Sequence, residues 1–229
     1  MNKFYINSFR VLVTSLIVIT IVSIAICCLL YEPLTSVTNT LNNSIPSSLS
    51  WLAKIGYCFQ PLSFSAVFSL LWIVFDLLLW KAFARAGILL DLSGTWCGVL
   101  DSSYSKAGVK YCTMVVKQTF TRITITCYFS DAKDSGSNSS YSKGFNFGIK
   151  PEGDELLVYF SYKNIKQNND SPDFNHPGFN FFYFNNNRLD GQYCTFRNKR
   201  TFGGIKLVKI NNNRKYDSNI WKAKNFENI

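Results

Sequence analysis

Hydrophobic and polar positions follow two different rhythms along this chain, and the change falls near residue 90. Residues 11 to 30, "VLVTSLIVITIVSIAICCLL", are apolar and uncharged, about the 20 residues a helix needs to cross a bilayer core. A second apolar run, "LSFSAVFSLLWIVFDLLLW" over 62 to 80, has Asp76 as its only charge, with Trp72 inside it and Trp80 at its end, where an indole suits the membrane interface. The pattern predicts two spanning helices. A cleaved signal peptide fits less well, because the first run exceeds the core of an ordinary signal and "AICC" provides no small-residue cleavage site.

Beyond Asp91 the period drops to two, in short runs rich in β-branched and aromatic residues. The runs are "GTWCGVL" (94 to 100), "VKYCTMVVKQT" (109 to 119), "TRITITCYFS" (121 to 130), "YSKGFNFGIK" (141 to 150), "ELLVYFSYKN" (155 to 164), "GFNFFYF" (178 to 184), "LDGQYCTFRN" (189 to 198) and "GGIKLVKI" (203 to 210). Turn residues separate them, as in "PEGD", "NNNR" and "RTFGG", with longer connectors at "DAKDSGSNSS" and "KQNNDSPDFNHP". Eight antiparallel strands in meander order predict an up-and-down barrel, since closure removes the exposed edges of an open sheet. Such a barrel is filled by side chains or holds one small ligand. The chain thus divides into a membrane hairpin (1–90), a barrel (91–210) and a polar, basic tail (211–229) expected to be flexible, with Trp221 and Phe226 able to touch a membrane surface.

Charge sets the expected orientation. Lys3 and Arg10 precede the first span, Lys81 and Arg85 follow the second, and the intervening loop holds only Lys54 and Glu32. The positive-inside tendency puts both termini in the cytoplasm and makes the loop a short external hairpin. From Lys81 onward, 21 Lys and Arg stand against 12 Asp and Glu, a net +9 of the chain's +10. That surface is simply solvated, or it attracts an anionic leaflet and phosphate-bearing ligands. The seven cysteines, Cys27, Cys28, Cys58, Cys97, Cys112, Cys127 and Cys194, form no C-x-x-C pair, and read as buried free thiols in a reducing compartment.

Candidate chemistry is that of a binding protein. With His176 in "FNHPG" as the only histidine and the acids scattered through turns, no catalytic constellation, metal site or cofactor is expected. "TFGGIK" lacks the P-loop pattern. In the seventh run Tyr193, Thr195 and Arg197 share one face with Leu189 and Gly191; in the third, Arg122, Thr124, Thr126 and Tyr128 oppose Ile123, Ile125, Cys127 and Phe129. Facing inward, Arg122, Tyr193, Thr195 and Arg197 would suit a ligand with phosphates and bases, through bidentate charge pairing, stacking and directional hydrogen bonds. Facing outward they are solvated strand faces, and alternation alone does not decide. Trp96 in "GTW" reads as a core residue that closes the barrel. Asp76 is a functional candidate by its place in a span, and Ser65 with Ser69, together with Thr14, Ser15, Thr20 and Ser23, permit close helix packing.

Two spans, a short external loop, a basic hinge from Lys81 to Leu90, the opening "LSGTW", the "HPG" before the sixth run and "LDGQYCTFRNKRTFGGIKLVKI" together resemble the SMODS-associating two-transmembrane, β-strand-rich effectors of bacterial CBASS anti-phage systems. The resemblance spans nearly the whole chain. It implies a lipocalin-like barrel that binds a cyclic dinucleotide made by a partner nucleotide synthase. Homo-oligomerisation of the spans, disruption of the bacterial inner membrane and growth arrest or death would follow, with no nucleic-acid polymer as partner. The alternative is a membrane-anchored carrier or sensor of an apolar ligand, which predicts an apolar lumen; a scaffold with a filled barrel predicts no ligand at all.

Overall fold

In a computed structural model the described residues are 9–44, 64–87, 89–103, 109–132, 140–153, 155–166, 176–197, 200–217 and 219–221. They form two compact units, Met1–Leu90 and Asp91–Ile229. In the first, α1 covers Phe9–Ser44 and α2 covers Phe64–Arg85. Both are long and apolar enough to cross a membrane, and few of their residues are buried, so the apolar faces of Ile17, Ile21, Leu29, Leu70 and Leu78 are left to lipid. Two of the hydroxyls that the sequence offers for helix packing are satisfied within α1. Thr20 Oγ1 donates to Leu16 O at 2.8 Å, and the buried Ser23 Oγ to Ile19 O at 2.7 Å.

α1 outruns the predicted span. At 36 residues it is about 54 Å long, well beyond a bilayer core, and residues 31–44, expected as loop, are helical through Pro33. Thr35 and Thr40 return their hydroxyls to the carbonyls of Tyr31 and Ser36, so their side chains accompany the helix instead of diverting its backbone into a turn. The rest of the expected external loop lies outside the described residues. α2 contains a π-helical turn at Phe75–Leu79 that includes Asp76. It continues through residues read as hinge and stops at Gly87, whose φ of 74° is the left-handed conformation that ends helices without a Cβ penalty.

The second unit is a closed barrel of eight antiparallel strands in sequence order: β1 (Gly94–Asp101), β2 (Val109–Gln118), β3 (Ile123–Ser130), β4 (Ser140–Glu152), β5 (Glu155–Lys166), β6 (Pro177–Asn185), β7 (Arg188–Thr195) and β8 (Phe202–Asn211). Closure comes from β1 pairing with β8 between Thr95↔Asn211 and Leu100↔Ile205. The β6–β7 link is a two-residue turn in which Asn186 and Asn187 take φ of 43° and 66°, the primed geometry that matches strand twist and that asparagine tolerates. In β4 a bulge between Phe145 and Gly148 shifts the register, with Asn146 at φ 50°.

Alternation sends one side of every strand inward. At the proximal end, where β1 begins, the lumen is packed solid: Leu92, Trp96, Met114, Val116, Phe120, Val158, Phe160, Phe182, Leu189, Ile205 and Leu207 all have almost no exposed surface. Trp96 Nε1 donates to Leu92 O at 2.9 Å, and Leu92 N donates to Gln118 Oε1 at 2.8 Å, so the polar atoms of this plug are paired. Trp96 is the closing core residue that its motif suggests. Lys209 Nζ lies 5.7 Å from the Trp96 ring centroid; burial lowers its pKa below the ordinary lysine value, with Asp91 opposing the shift.

Residues 212–217 and 219–221, expected as flexible tail, instead strap the outer wall of β1, β2 and β3. Thr95 Oγ1 donates to Asn213 O at 2.7 Å, and Tyr216 stacks on Tyr128 with centroids 4.1 Å apart. Trp221 Nε1 donates to Thr113 Oγ1 at 2.9 Å, and Trp221 with Ile220 covers Cys97, flanked by Tyr111 and Ile210. Side-chain caps turn this polar stretch: Asn211 Oδ1, Asn213 Oδ1 and Asp217 Oδ1 each accept from the backbone N–H two residues on. Residues 222–229 lie outside the described residues.

Trp221 therefore carries fold stability from outside the barrel. Trp221→Ala, which removes a buried indole and leaves Thr113 without that donor, is expected to lower the unfolding free energy by about 3 kcal/mol. Denaturant unfolding of the detergent-solubilised full chain, followed by far-ultraviolet circular dichroism, measures this; Asn219→Ala on the exposed side of the strap serves as the near-neutral control.

Candidate functional site

The distal end of the lumen, where β1, β3, β5 and β7 finish, has a different chemistry. Register aligns its inward side chains in tiers. One tier holds Tyr193 and Asn180, which face each other across β6 and β7, with Gly203 beside Tyr193 on β8. The next holds Gly144, Tyr162, Gly178 and Thr195, and the outermost holds Ser142, Asn164 and His176. Arg197 lies just past β7, beyond Phe196 N, which donates to Pro177 O at 2.8 Å. Tyr162, Asn180, Tyr193, Thr195, Thr201 and Ser142 are all buried. An inward polar set of this kind contrasts with the hydrocarbon that fills the proximal half.

Arg197, Thr195 and Thr201 form one hydrogen-bonded unit. The chain leaves β7 and returns to β8 with Thr195 N donating to Thr201 O at 2.8 Å and Thr201 N to Thr195 Oγ1 at 3.0 Å. The two hydroxyl oxygens are 2.8 Å apart, and Arg197 Nη2 donates to Thr201 Oγ1 at 3.1 Å. One guanidinium nitrogen is thereby oriented by a buried hydroxyl, which aims a planar cation with five donors in all. Tyr193 Oη donates to Ser102 Oγ at 2.7 Å, tying this tier to the end of β1. Tyr162 Oη donates to Cys194 O at 3.3 Å. The hydroxyl end of the Tyr162 ring lies against Gly178, where an added methyl would collide with it. On the rim, Lys110 is paired with Asp131 at 3.0 Å.

Burial raises the phenol pKa of both tyrosines. Tyr162 is pushed well above the ordinary tyrosine range by desolvation, and Arg197 opposes the shift. Tyr193 is raised by the same desolvation, with the hydrogen bonds to Ser102 and Thr201 and the charge of Arg197 pulling it back. At neutral pH both are neutral phenols beside a cation, their protons engaged by Ser102 Oγ and Cys194 O, so the guanidinium is the group suited to an anion.

Three of the four residues singled out in the sequence come together here: Tyr193 and Thr195 point inward as alternation allows, and Arg197 flanks them. Arg122 does not join them. It ends the β2–β3 turn, held by Thr119 N donating to Arg122 O at 2.7 Å and Arg122 N donating to Thr119 Oγ1 at 3.1 Å, with an exposed side chain. β3 and β7 run in the same direction, so the start of one and the end of the other are roughly 25 Å apart along the strands. Thr124 and Tyr128 share the outer face of β3 with it, Thr124 exposed and Tyr128 stacked against Tyr216 of the strap. His176, read as a loop residue, lies just before β6, and its carbonyl accepts from Asn164 N at 2.9 Å. Tyr162, Asn164, Asn180, Ser142 and Thr201 escaped notice; the same period-two reading applied to "LLVYFSYKN" places Tyr162 and Asn164 on the face of Leu156, Val158 and Phe160.

A closed eight-stranded barrel, plugged by hydrocarbon at one end and lined with hydroxyls, amides and a guanidinium at the other, is a small-ligand receptor of lipocalin-like build. Residues 89–209 match the family described as Cap15, cyclic dinucleotide receptor domain. The match covers more than half of the chain, and the protein belongs to this family of CBASS effectors with an N-terminal transmembrane region. A search of curated proteins finds no match.

The raised phenols give a pH signature. Below about pH 10 tyrosine is protonated in native and unfolded chains alike; above it the unfolded chain loses the proton while the native one keeps it, so stability falls as pH rises. Tyr162→Phe is expected to cost about 1 kcal/mol at pH 8 and to weaken the decline above pH 10 by up to about 1.4 kcal/mol per pH unit. Paired urea titrations at pH 8, 10 and 11 give the difference.

Proposed function

We propose that the distal lumen takes the phosphodiester and bases of a cyclic dinucleotide, and that its occupancy drives the membrane helices of neighbouring copies together until the bacterial inner membrane is breached. Membership of a cyclic dinucleotide receptor family supports the ligand class. The single observation carrying the location is the Arg197–Thr201–Thr195 unit beside Tyr193: a cation with buried hydroxyls at the polar end of a lumen whose other end is filled. In this reading Arg197 pairs with phosphate, Tyr193 stacks on or bonds to the ligand, and Thr195 holds the guanidinium's support in place. Arg122 is left out. The filled proximal half weighs against a carrier of fatty-acid-like ligands, which needs an empty apolar lumen.

The remainder follows from tethering. Copies confined to one membrane meet at a high effective concentration, so a small ligand-dependent gain in association shifts them toward an assembly. Both termini face the cytoplasm, where a partner synthase releases the nucleotide, and growth arrest or death of the infected cell is the outcome. The protein acts as a receptor without catalysis of its own.

Titration of the detergent-solubilised full chain with a panel of cyclic dinucleotides tests the first step. One member is expected to bind at micromolar or tighter affinity, with Arg197→Ala weakening it at least about tenfold and Arg122→Ala changing it less than about twofold. Silent titrations across the panel overturn the reading. In liposomes, the binding nucleotide is expected to release an entrapped dye from wild type and not from Arg197→Ala at the same concentration.

A further inference from the structure

Asn164 belongs to the outermost tier. Its backbone is engaged through His176 O, and its neighbours on the same face are Ser142 across β4 and Tyr162 two residues below. Its side-chain Oδ1 is buried, yet it accepts no hydrogen bond from the described residues. A buried amide carbonyl in that state is destabilising, because it has given up water without replacement. Natural barrels seldom keep such a group unless something else satisfies it.

Resting on the ligand class proposed above, we infer that Asn164 reads a nucleobase: its Oδ1 accepts an N–H from the base edge of the bound cyclic dinucleotide, which makes it a specificity-determining residue. The chemistry separates its role from that of Arg197. Phosphate oxygens are acceptors only, so they match a guanidinium and cannot satisfy a carbonyl. The donors of a cyclic dinucleotide are the amino and imino groups of its bases and its free ribose hydroxyls. Among members that share one phosphodiester linkage, only the bases differ. A site with a fixed buried acceptor rejects ligands that fail to present a donor to it, because the acceptor then stays unpaired.

The test uses Asn164→Leu, similar in volume and without the carbonyl, in the detergent-solubilised full chain. The panel is cyclic di-AMP, cyclic di-GMP, cyclic UMP–AMP and cyclic di-UMP, with a 2′-deoxy analogue of whichever binds best. In the absence of nucleotide, the thermal midpoint is expected to stay level or rise, as removal of an unsatisfied buried group should allow. Affinity for the best ligand is expected to fall about tenfold or more, while poorly bound members lose much less, so the ranking flattens. Arg197→Ala should instead weaken every member by a similar factor. A ranking unchanged by Asn164→Leu, whether through uniform loss or no loss, overturns base reading. So does a loss that the 2′-deoxy analogue reproduces in wild type and that Asn164→Leu does not deepen, since this assigns the carbonyl to a ribose hydroxyl. If wild type binds no member of the panel, the ligand class itself fails and this inference with it; if wild type binds and ranks the panel while Asn164→Leu preserves the order, only the role of Asn164 falls.

Discussion

The lumen of an eight-stranded barrel is too narrow for both a complete side-chain filling and a ligand, and the rest of this structure depends on how that space is divided. Closure through β1 and β8 forces one face of each strand into the shared interior. Where the inward positions are Trp96, Met114, Phe160, Phe182 and Leu207, the space is consumed and the barrel gains its core. Where they are Ser142, Asn180, Tyr193 and Thr195, the walls present buried hydrogen-bonding groups. One end is hydrocarbon and the other polar, and neither chemistry transfers to the other end without changing several strands at once.

The strap extends the same economy of surface to the outside. β1 and β2 present Cys97 and Thr113 on their outer face, both buried, and Ile220 with Trp221 covers them. Burial of an indole on a barrel wall adds apolar contact that the crowded interior has no room for. The membrane unit obeys a different constraint: its helices leave their apolar surface outward, which is stable only against lipid. Ser23 and Thr20 close their hydroxyls onto α1 itself, so neither hydroxyl is unsatisfied before any helix partner arrives.

Much of the fold was legible because its signals are local. An uncharged 20-residue run, a two-residue alternation and turn residues such as Asn186 and Asn187 act within a few positions of themselves, and they specified spans, strands and a meander closed into a barrel. The helical stretch 31–44 and the strap were misread for a shared reason. Serine, threonine and asparagine favour loops when nothing else engages them, but here the hydroxyls of Thr35 and Thr40 fold back onto α1, and Trp221 finds Thr113 across 108 positions of chain.

For the site, residue types and facing were available in advance for Tyr193, Thr195 and Arg197, since alternation binds residues of one strand to one face. Which face looks inward, and which strand ends meet, belongs to the tertiary structure. Arg122 and Arg197 are chemically equal in the sequence, yet parallel running directions of β3 and β7 send them to opposite ends, and only Arg197 meets the hydroxyl of Thr201. Asn164 is an ordinary strand residue until the register sets it beside Ser142 and buries its carbonyl. Chain chemistry by itself determined that a membrane hairpin carries a basic β-barrel; the closing of the eighth strand on the first decided which end of that barrel is filled with hydrocarbon and which is lined with polar groups, because proximity between distant strands exists only once the ring is shut.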